Sequence, residues 1–215
     1  MAMKIVLTDT GKRYNRDWIF RHINFNFETG NSYAITGTNG SGKSTLLQAL
    51  SGAISFSEGN CTWLIHGKKI TLENIYQHIS ICAPYMEVVE EMTLDEFITF
   101  HSKFKPLIKK KSVKDIVEET GLHLADNKKI SQFSSGMKQR VKLAQCILSD
   151  VPLVLLDEPC TNLDAPGIDM YNCLIKNYCK DRLVIVSSND PLEYQFCNKA
   201  VSYTHLRAHE TGRNL

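Results

Sequence analysis

The chain has 215 residues, 43% hydrophobic and 22% charged, with 25 basic and 23 acidic side chains. This balance is typical of a globular domain, and the net charge of +2 gives no electrostatic case for binding nucleic acid. No apolar stretch approaches the roughly 20 residues of a membrane helix, and the N-terminus lacks the apolar core of a signal peptide. We therefore expect any membrane role to come through a partner.

The first quarter of the chain predicts strands around a glycine-rich loop. Lys4–Asp9 is a predicted strand, and Ile23–Phe27 alternates apolar and polar side chains as a half-buried strand does. Ser32–Thr36 is predicted to be a buried strand that runs directly into the loop. Ser44–Leu50 follows as a helix, which Gly52 closes.

The remainder alternates helices with apolar strands. The predicted elements are strands at Ile79–Cys82, Leu153–Asp157 and Leu183–Ser187, and helices at Leu94–Phe104, Ser112–Thr120 and Met137–Leu148. This alternation predicts an α/β fold with a mostly parallel sheet covered by helices on both faces. Residues 87–140 are rich in helix without a clear strand, which predicts an inserted helical subdomain.

The seven cysteines are scattered and never form a CxxC pair. An odd, unpaired set argues against a disulfide framework and against a zinc site. It fits the reducing cytosol, where thiols stay free. Cys82, Cys146 and Cys173 lie in apolar sequence and are predicted to be core residues.

The loop GTNGSGKST fits the pattern G-x-x-x-x-G-K-[ST] of phosphate loops. Its glycines let the backbone wrap around a pyrophosphate, and the helix that follows adds the positive end of its dipole. Lys43 can reach the β and γ phosphates, and the Ser44 hydroxyl can ligate Mg²⁺. The predicted nucleotide-binding residues here are Gly37, Thr38, Asn39, Gly40, Ser41, Gly42, Lys43, Ser44 and Thr45.

Two acidic residues end the apolar run LVLLDE. Asp157 is expected at the carboxyl end of a buried strand, where ligands bind in open α/β sheets. A carboxylate there can hold Mg²⁺ through its water shell, so Ser44 and Asp157 are the predicted metal ligands. Glu158 comes next and is suited to polarise an attacking water.

The octapeptide FSSGMKQR, Phe133 to Arg140, precedes that strand. Taken alone, Ser-Ser-Gly before a helix is usually a helix cap. Its place between the phosphate loop and Asp157 favours another interpretation, in which the helix N-terminus grips a phosphate. The order and spacing of the three motifs resemble those of the ATP-binding cassette (ABC) ATPases, over about residues 4–200.

The resemblance implies a P-loop NTPase fold with an N-terminal antiparallel β part, and it assigns roles to several residues. Glu158 is the implied catalytic base. Ser134, Ser135 and Gly136 would complete the ATP site of a neighbouring subunit, and Asp164 of the TNLD segment would touch that partner's site.

The same resemblance singles out four further positions. Tyr14 lies where the family has an aromatic ring stacked on adenine, and Trp18 is a weaker candidate. Tyr85 stands where the family expects a glutamine that contacts Mg²⁺ and water. Asn189 stands where a histidine contacts the γ-phosphate, so it is a predicted catalytic residue. Since a neutral amide binds phosphate more weakly than a charged group, we expect slow hydrolysis.

The leading hypothesis is the ATP-binding and ATP-hydrolysing subunit of an ABC transporter, with ATP and Mg²⁺ as cofactors. It would dimerise head to tail, with itself or a paired ABC subunit, and drive an integral membrane partner from the inner face of the cytoplasmic membrane. One alternative is a soluble ABC ATPase of translation or DNA repair, although the chain has one phosphate loop and no coiled-coil heptads. Another is a slow or degenerate ATP-binding switch.

The final segment, residues 201–215, loses the apolar periodicity that precedes it. Its first eleven residues can be back-translated into a common transposase-type sequencing adapter. We therefore predict an ABC domain over residues 1–200 and a non-native tail over residues 201–215, the alternative being an ordinary polar tail. His205 and His209 of this tail are not expected to bind metal, despite their i, i+4 spacing.

Overall fold

A computed structural model of the protein describes residues 2–122 and 128–202. Its centre is a parallel sheet of five strands: β3 (Ser32–Thr36), β6 (Ile79–Cys82), β7 (Leu153–Asp157), β8 (Leu183–Ser187) and β9 (Lys199–Ser202). The spatial order is β6-β7-β8-β3-β9. Every residue of β7 and β8 is buried, as expected of parallel strands covered on both faces.

A second sheet is antiparallel and contains β1 (Met3–Tyr14), β2 (Asp17–Glu28), β4 (Glu58–Ile65) and β5 (Lys68–Ile70), in the order β2-β1-β4-β5. The two predicted N-terminal strands are parts of the long β1–β2 hairpin, in which Tyr14 pairs with Asp17 at the turn. Neither β4 nor β5 was predicted. Only Trp63 of β4 is buried, so this strand carries little of the apolar alternation on which a sequence prediction depends.

Within residues 2–122 and 128–202, six α-helices connect the strands: α1 (Lys43–Leu50), α2 (Leu94–Ser102), α3 (Val113–Thr120), α4 (Ser135–Ile147), α5 (Ala165–Tyr178) and α6 (Pro191–Tyr194). The starts of α2 and α3 are fixed by capping boxes, in which Thr93 pairs with Glu96 and Ser112 with Asp115. Among the described residues, no helix combines the length and apolar character needed to cross a membrane.

The core has two layers, one on each face of the parallel sheet. Leu153 and Leu155 of β7 join a cluster with α1 and the antiparallel sheet. Val154 and Leu156 of the same strand join a cluster with α2 to α5. Because successive side chains of a strand point to opposite faces, β7 contributes to both layers. The predicted α/β fold, with its parallel sheet and antiparallel part, is confirmed.

Two details of the sequence prediction are wrong. Cys173 is exposed on α5, whereas Cys82 and Cys146 are buried as predicted; the helical period turns Tyr171 and Leu174 inward instead. The α2 helix ends at Ser102 and α4 begins at Ser135, each within two residues of the predicted position.

The predicted non-native tail begins inside a strand. Val201 and Ser202 end β9 and pair with Ile35 and Thr36 of β3. The strand is short and lies at the sheet edge, so its pattern is weak. Residues 203–215, with both histidines, lie outside the described residues, and their foreign origin stays a prediction.

Candidate functional site

The predicted phosphate loop joins the end of β3 to the start of α1. Gly40 and Gly42 have left-handed backbone angles, with φ of 76° and 106°, which residues with a side chain rarely adopt. Gly42 is also the N-cap residue of α1 and offers no side chain to its first amides. Those amides are therefore available to an anionic ligand.

The ammonium of Lys43 lies inside this loop, with only 6% of the residue exposed. Its Nζ donates to the carbonyl oxygens of Gly37 at 2.5 Å and Thr38 at 3.1 Å. Burial lowers the pKa of this ammonium, and the carboxylates of Glu158 and Asp157 oppose that shift. The hydrogen bonds of this ammonium thus go to backbone carbonyl groups, which an anion could replace as its partners.

The other loop residues differ in exposure. Thr38, Asn39, Gly40 and Ser44 are exposed, whereas Thr45 is partly buried at the start of α1. Ser41 Oγ is buried and has no hydrogen-bond partner among the described residues. An unpaired buried hydroxyl costs free energy unless a ligand satisfies it. This hydroxyl and the uncapped amides fit a loop that surrounds phosphate oxygens.

The two predicted metal ligands are oxygen donors from different elements. Ser44 is the second residue of α1, and Asp157 is the last residue of β7 and 3% exposed. Hydroxyl and carboxylate oxygens suit Mg²⁺. In the described part of the chain, no three His, Cys, Asp or Glu side chains could hold a metal together. A magnesium ion would therefore depend on phosphate and water oxygens as well.

Glu158 follows β7 in a strained conformation, with φ of 45°. A residue with a side chain loses about 1 to 3 kcal/mol in such a conformation and keeps it only where the surroundings hold it. Here the Glu158 amide donates to the Ser187 carbonyl of β8 at 2.9 Å. Glu158 is exposed and directly follows the buried Asp157 in the chain, as predicted.

Asn189 contacts the phosphate loop with both ends of its amide. Its Oδ1 accepts from the Gly37 amide at 3.1 Å, and its Nδ2 donates to Asn39 Oδ1 at 2.8 Å. The structure therefore brings the predicted catalytic residue to the loop. It also gives Asn189 a structural task there that the sequence did not predict.

Tyr85, the other departure from the family pattern, lies on the turn after β6 and is half exposed. Burial raises the pKa of its hydroxyl, the nearby Gln48 side chain opposes the shift, and the Asp157 charge adds to it. Gln48 is one helical turn after Ser44 on α1, so the phenol lies on the predicted metal side of the site.

The predicted adenine-stacking residues lie on the β1–β2 hairpin. The ring of Tyr14 is 47% exposed, with Lys12 Nζ at 5.0 Å from its centroid. The ring of Trp18 is covered by the Arg21 guanidinium at 4.3 Å. Because only Tyr14 offers a largely open ring, it remains the better candidate to stack on a base.

The signature segment forms the start of α4. Ser134 is its N-cap, and its Oγ accepts from the Met137 amide at 3.2 Å. A Cβ on Gly136 would lie 3.0 Å from the Asn162 carbonyl oxygen, so glycine permits a close approach to the loop after β7. The helix-cap interpretation of this motif is confirmed. Ser134 is also exposed, and its contact with a phosphate stays a prediction.

Asp164 lies on that same loop and is held in two ways. It accepts from the Gly167 amide at 3.0 Å as the N-cap of α5, and it pairs with Arg140 Nη2 at 2.8 Å. The Arg140 hydrogen bond, aided by Gly167, lowers the pKa of the Asp164 carboxyl. Arg140 belongs to the FSSGMKQR motif, yet the sequence assigned it no role.

These residues line a cavity of about 400 Å³, and no residue of the phosphate loop is part of its lining. Its lining comprises Gly121, Leu122, Ser134, Ser135, Gly136, Met137, Arg140, Asn162 and Asp164. The predicted site residues thus fall into two groups within one chain. One group surrounds Lys43, and the other surrounds the N-terminus of α4.

Fold and site together define a P-loop nucleotide-binding domain. The sequence profile of the ABC transporter family matches residues 20–161, and the chain belongs to this family as an ABC ATPase, the ATP-binding subunit type. It is 31% identical over 204 residues to the uncharacterized ABC transporter ATP-binding protein YybJ of Bacillus subtilis, across 91% of this chain and 90% of the relative.

Two further comparisons agree with this membership. The chain is 30% identical over 190 residues to the bacitracin transport ATP-binding protein BcrA of Bacillus licheniformis, across 86% of this chain and 61% of the relative. A solved dimeric ATP-binding cassette, in a post-hydrolysis state with ADP and phosphate bound, has the same fold. Its TM-score is 0.76 at 23% identity, covering 92% of this chain and 93% of that chain.

Proposed function

We propose that this protein hydrolyses ATP as one subunit of a head-to-tail ABC dimer that drives a membrane transporter. The observation that carries the proposal is the division of the site residues into two groups on one chain. The Lys43 group offers a phosphate cradle, and the α4 N-terminus offers a second anion-binding end. A second subunit turned end to end would bring each cradle against the other chain's α4.

The residues of the cradle then have distinct tasks. The loop amides and Lys43 would bind the phosphates, with Lys43 leaving the carbonyls of Gly37 and Thr38. Ser44 and Asp157 would hold Mg²⁺, which when bound neutralises the phosphate charge. Glu158 would orient and deprotonate the attacking water.

The second group completes the site from the partner's side. Ser134, Ser135 and the Gly136 amide would grip the γ-phosphate, and Asp164 would contact the opposite subunit. Asn189 would hold the loop of its own chain, and Tyr14 would stack on adenine.

The transporter assignment is supported by the relatives' names, which describe an ABC transporter ATP-binding protein and a bacitracin transport ATP-binding protein. We propose an integral membrane subunit as partner, reached from the cytoplasmic face. The segment of residues 87–140, which includes α2 and α3, would form a helical subdomain beside the sheet core.

Two substitutions test the proposal. Lys43→Ala should abolish measurable MgATP binding, because the cradle loses the cation that lies inside it. Glu158→Gln should keep binding but reduce hydrolysis about a hundredfold or more, the range that a general base contributes. Binding is measured by titration calorimetry and hydrolysis by phosphate release.

Matched controls are Lys68→Ala on β5 and Glu118→Gln on α3, both exposed residues far along the chain from the cradle. Both controls should behave like the wild type. Unchanged hydrolysis in Glu158→Gln would remove the catalytic assignment. A wild type that binds MgATP without measurable turnover would instead favour the regulatory switch.

A further inference from the structure

Glu193 of α6 is a buried carboxylate with no role assigned so far. The residue is 4% exposed, and its Oε1 accepts from the Cys160 amide at 2.7 Å. The Ser188 hydroxyl lies near the carboxylate, but no hydrogen bond of standard geometry reaches its buried Oε2 from the described residues. Burial of a carboxylate that is so weakly satisfied is costly. Such a group needs an explanation.

The segment that carries Glu193 is tied to the phosphate loop at its other end. The Ser188 amide donates to the Ile35 carbonyl at 3.3 Å, just before the loop. Asn189, the next residue, holds Gly37 and Asn39. Residues 187–193 are therefore anchored to the phosphate loop through Ser188 and Asn189.

The same segment also holds the loop of residues 158–164. Ser187 accepts from the Glu158 amide, and Glu193 accepts from the Cys160 amide. This loop carries the strained catalytic candidate at one end and Asp164 at the other. The Glu193 carboxylate contacts this loop through a side chain, whereas the Ser187 contact is made by its backbone carbonyl.

Neighbouring contacts fix α6 so that its carboxylate can serve as a support. Asp190 caps the helix by accepting from the Leu192 amide at 2.9 Å. The Tyr171 hydroxyl of α5 donates to the Glu193 carbonyl oxygen at 2.7 Å. These contacts hold α6 against the loop of residues 158–164 through Cys160 and against α5 through Tyr171.

We propose that Glu193 is a positioning residue, which fixes the loop of residues 158–164 relative to the phosphate loop of the same subunit. Through Glu193, two loops keep a fixed position relative to each other. One is the phosphate loop, which Asn189 contacts, and the other carries Glu158 and Asp164. The proposal rests on the proposed function for its kinetic consequence. Its structural content does not depend on hydrolysis.

The first test uses the protein without nucleotide. Amide hydrogen exchange of the peptide over residues 158–164 should be about tenfold faster in Glu193→Ala, because a buried hydrogen bond to Cys160 is lost. Glu193→Gln should stay close to the wild type, since an amide oxygen still accepts that bond. Tyr171→Phe is the control, because it removes a neighbouring contact and leaves the carboxylate in place.

The second test is kinetic. Glu193→Ala should lower kcat for ATP about tenfold with KM within about twofold, and Glu193→Gln should restore most of the turnover. Glu193→Asp, whose carboxyl is withdrawn by one methylene, should fall between them and serves if the alanine variant does not fold. A wild type without ATPase activity would defeat the proposed function, while the exchange experiment would still decide this proposal.

Three outcomes would overturn the positioning role. In the first, exchange over residues 158–164 is the same in Glu193→Ala and the wild type. In the second, Glu193→Gln is as defective as Glu193→Ala. In the third, exchange rises equally in α1 and β7, which would show that Glu193 only stabilises the domain as a whole.

Discussion

The side-chain amide of Asn189 carries a donor and an acceptor, and the structure uses both on the phosphate loop. A carboxylate could accept from Gly37 but could not donate to Asn39, and an ammonium could only donate. An asparagine side chain can therefore form both of these hydrogen bonds to the phosphate loop. The contact of Asn189 with a γ-phosphate stays a prediction, and its two hydrogen bonds to the phosphate loop are an additional role.

Asn189→Ala should weaken ATP binding by about fivefold to tenfold, because two hydrogen bonds of about 0.5 to 1.5 kcal/mol that order the loop are lost. Asn198→Ala is the matched control. Its amide oxygen likewise accepts from a backbone amide, that of Ser32 at the opposite end of β3. Calorimetric titration with MgATP should show the loss in Asn189→Ala alone. An equal loss in both variants would indicate a general effect on β3.

At the scale of elements, the start of α4 and the loop after β7 form one unit. Gly136 permits the helix to approach Asn162 closely, and one turn later Arg140 pairs with Asp164. Both elements line the same cavity. A partner that docks against Ser134 would therefore meet Asp164 as well, which fits the proposed contact between two subunits.

We expect Glu158→Gln alone to dimerise when ATP is added, and Ser134→Arg introduced in the same chain should prevent this dimerisation. A bulky cation at the α4 N-terminus would block the second subunit and oppose the helix dipole. Ser112→Arg in the same background is the control. Ser112 also caps a helix, α3, so its replacement should cost about the same stability, about 1 kcal/mol.

Sedimentation with saturating ATP measures both variants. The Ser112 variant should remain dimeric. Dimers of equal stability in both variants would mean that the α4 N-terminus is not part of the subunit contact.

At the scale of the whole molecule, the sequence predicted those features that are formed by residues close together in the chain. The phosphate loop, the strand ending at Asp157 and the capping serine were all recognisable, because each needs a few residues in a fixed order. The contacts that tie them together were not. Asn189 and Gly37 are 152 residues apart, and Glu193 and Cys160 are 33 apart.

Pairings over such distances follow from sheet order, which places β3 beside β8. No spacing rule in the sequence reveals them. Glu193 was missed for this reason, since a lone glutamate in a short polar segment gives no sign of burial.

Burial of Glu193 has a consequence for the stability of the whole domain. Desolvation raises the pKa of its carboxyl above the ordinary value of 4.5, and the charges of Asp190 and Glu158 add to the shift. The Ser188 hydroxyl and the Cys160 amide oppose it only in part. The folded state therefore binds this proton more tightly than the unfolded state, so stability falls as the pH rises through the folded-state pKa.

Glu193→Gln removes this titration and keeps an acceptor for Cys160. Across about pH 4 to pH 8, the free energy of unfolding of the wild type should fall relative to the variant as the pH rises from 4.5. Asp115→Asn should show the opposite trend in measurements extended below about pH 4. Hydrogen bonds from Ser112 lower the pKa of Asp115 below 3.8, so its stabilisation is lost as the pH falls through that range. Urea unfolding at each pH measures both. A constant difference between wild type and Glu193→Gln would mean that the carboxyl titrates alike in the folded and unfolded states, and that its burial does not cost the domain stability.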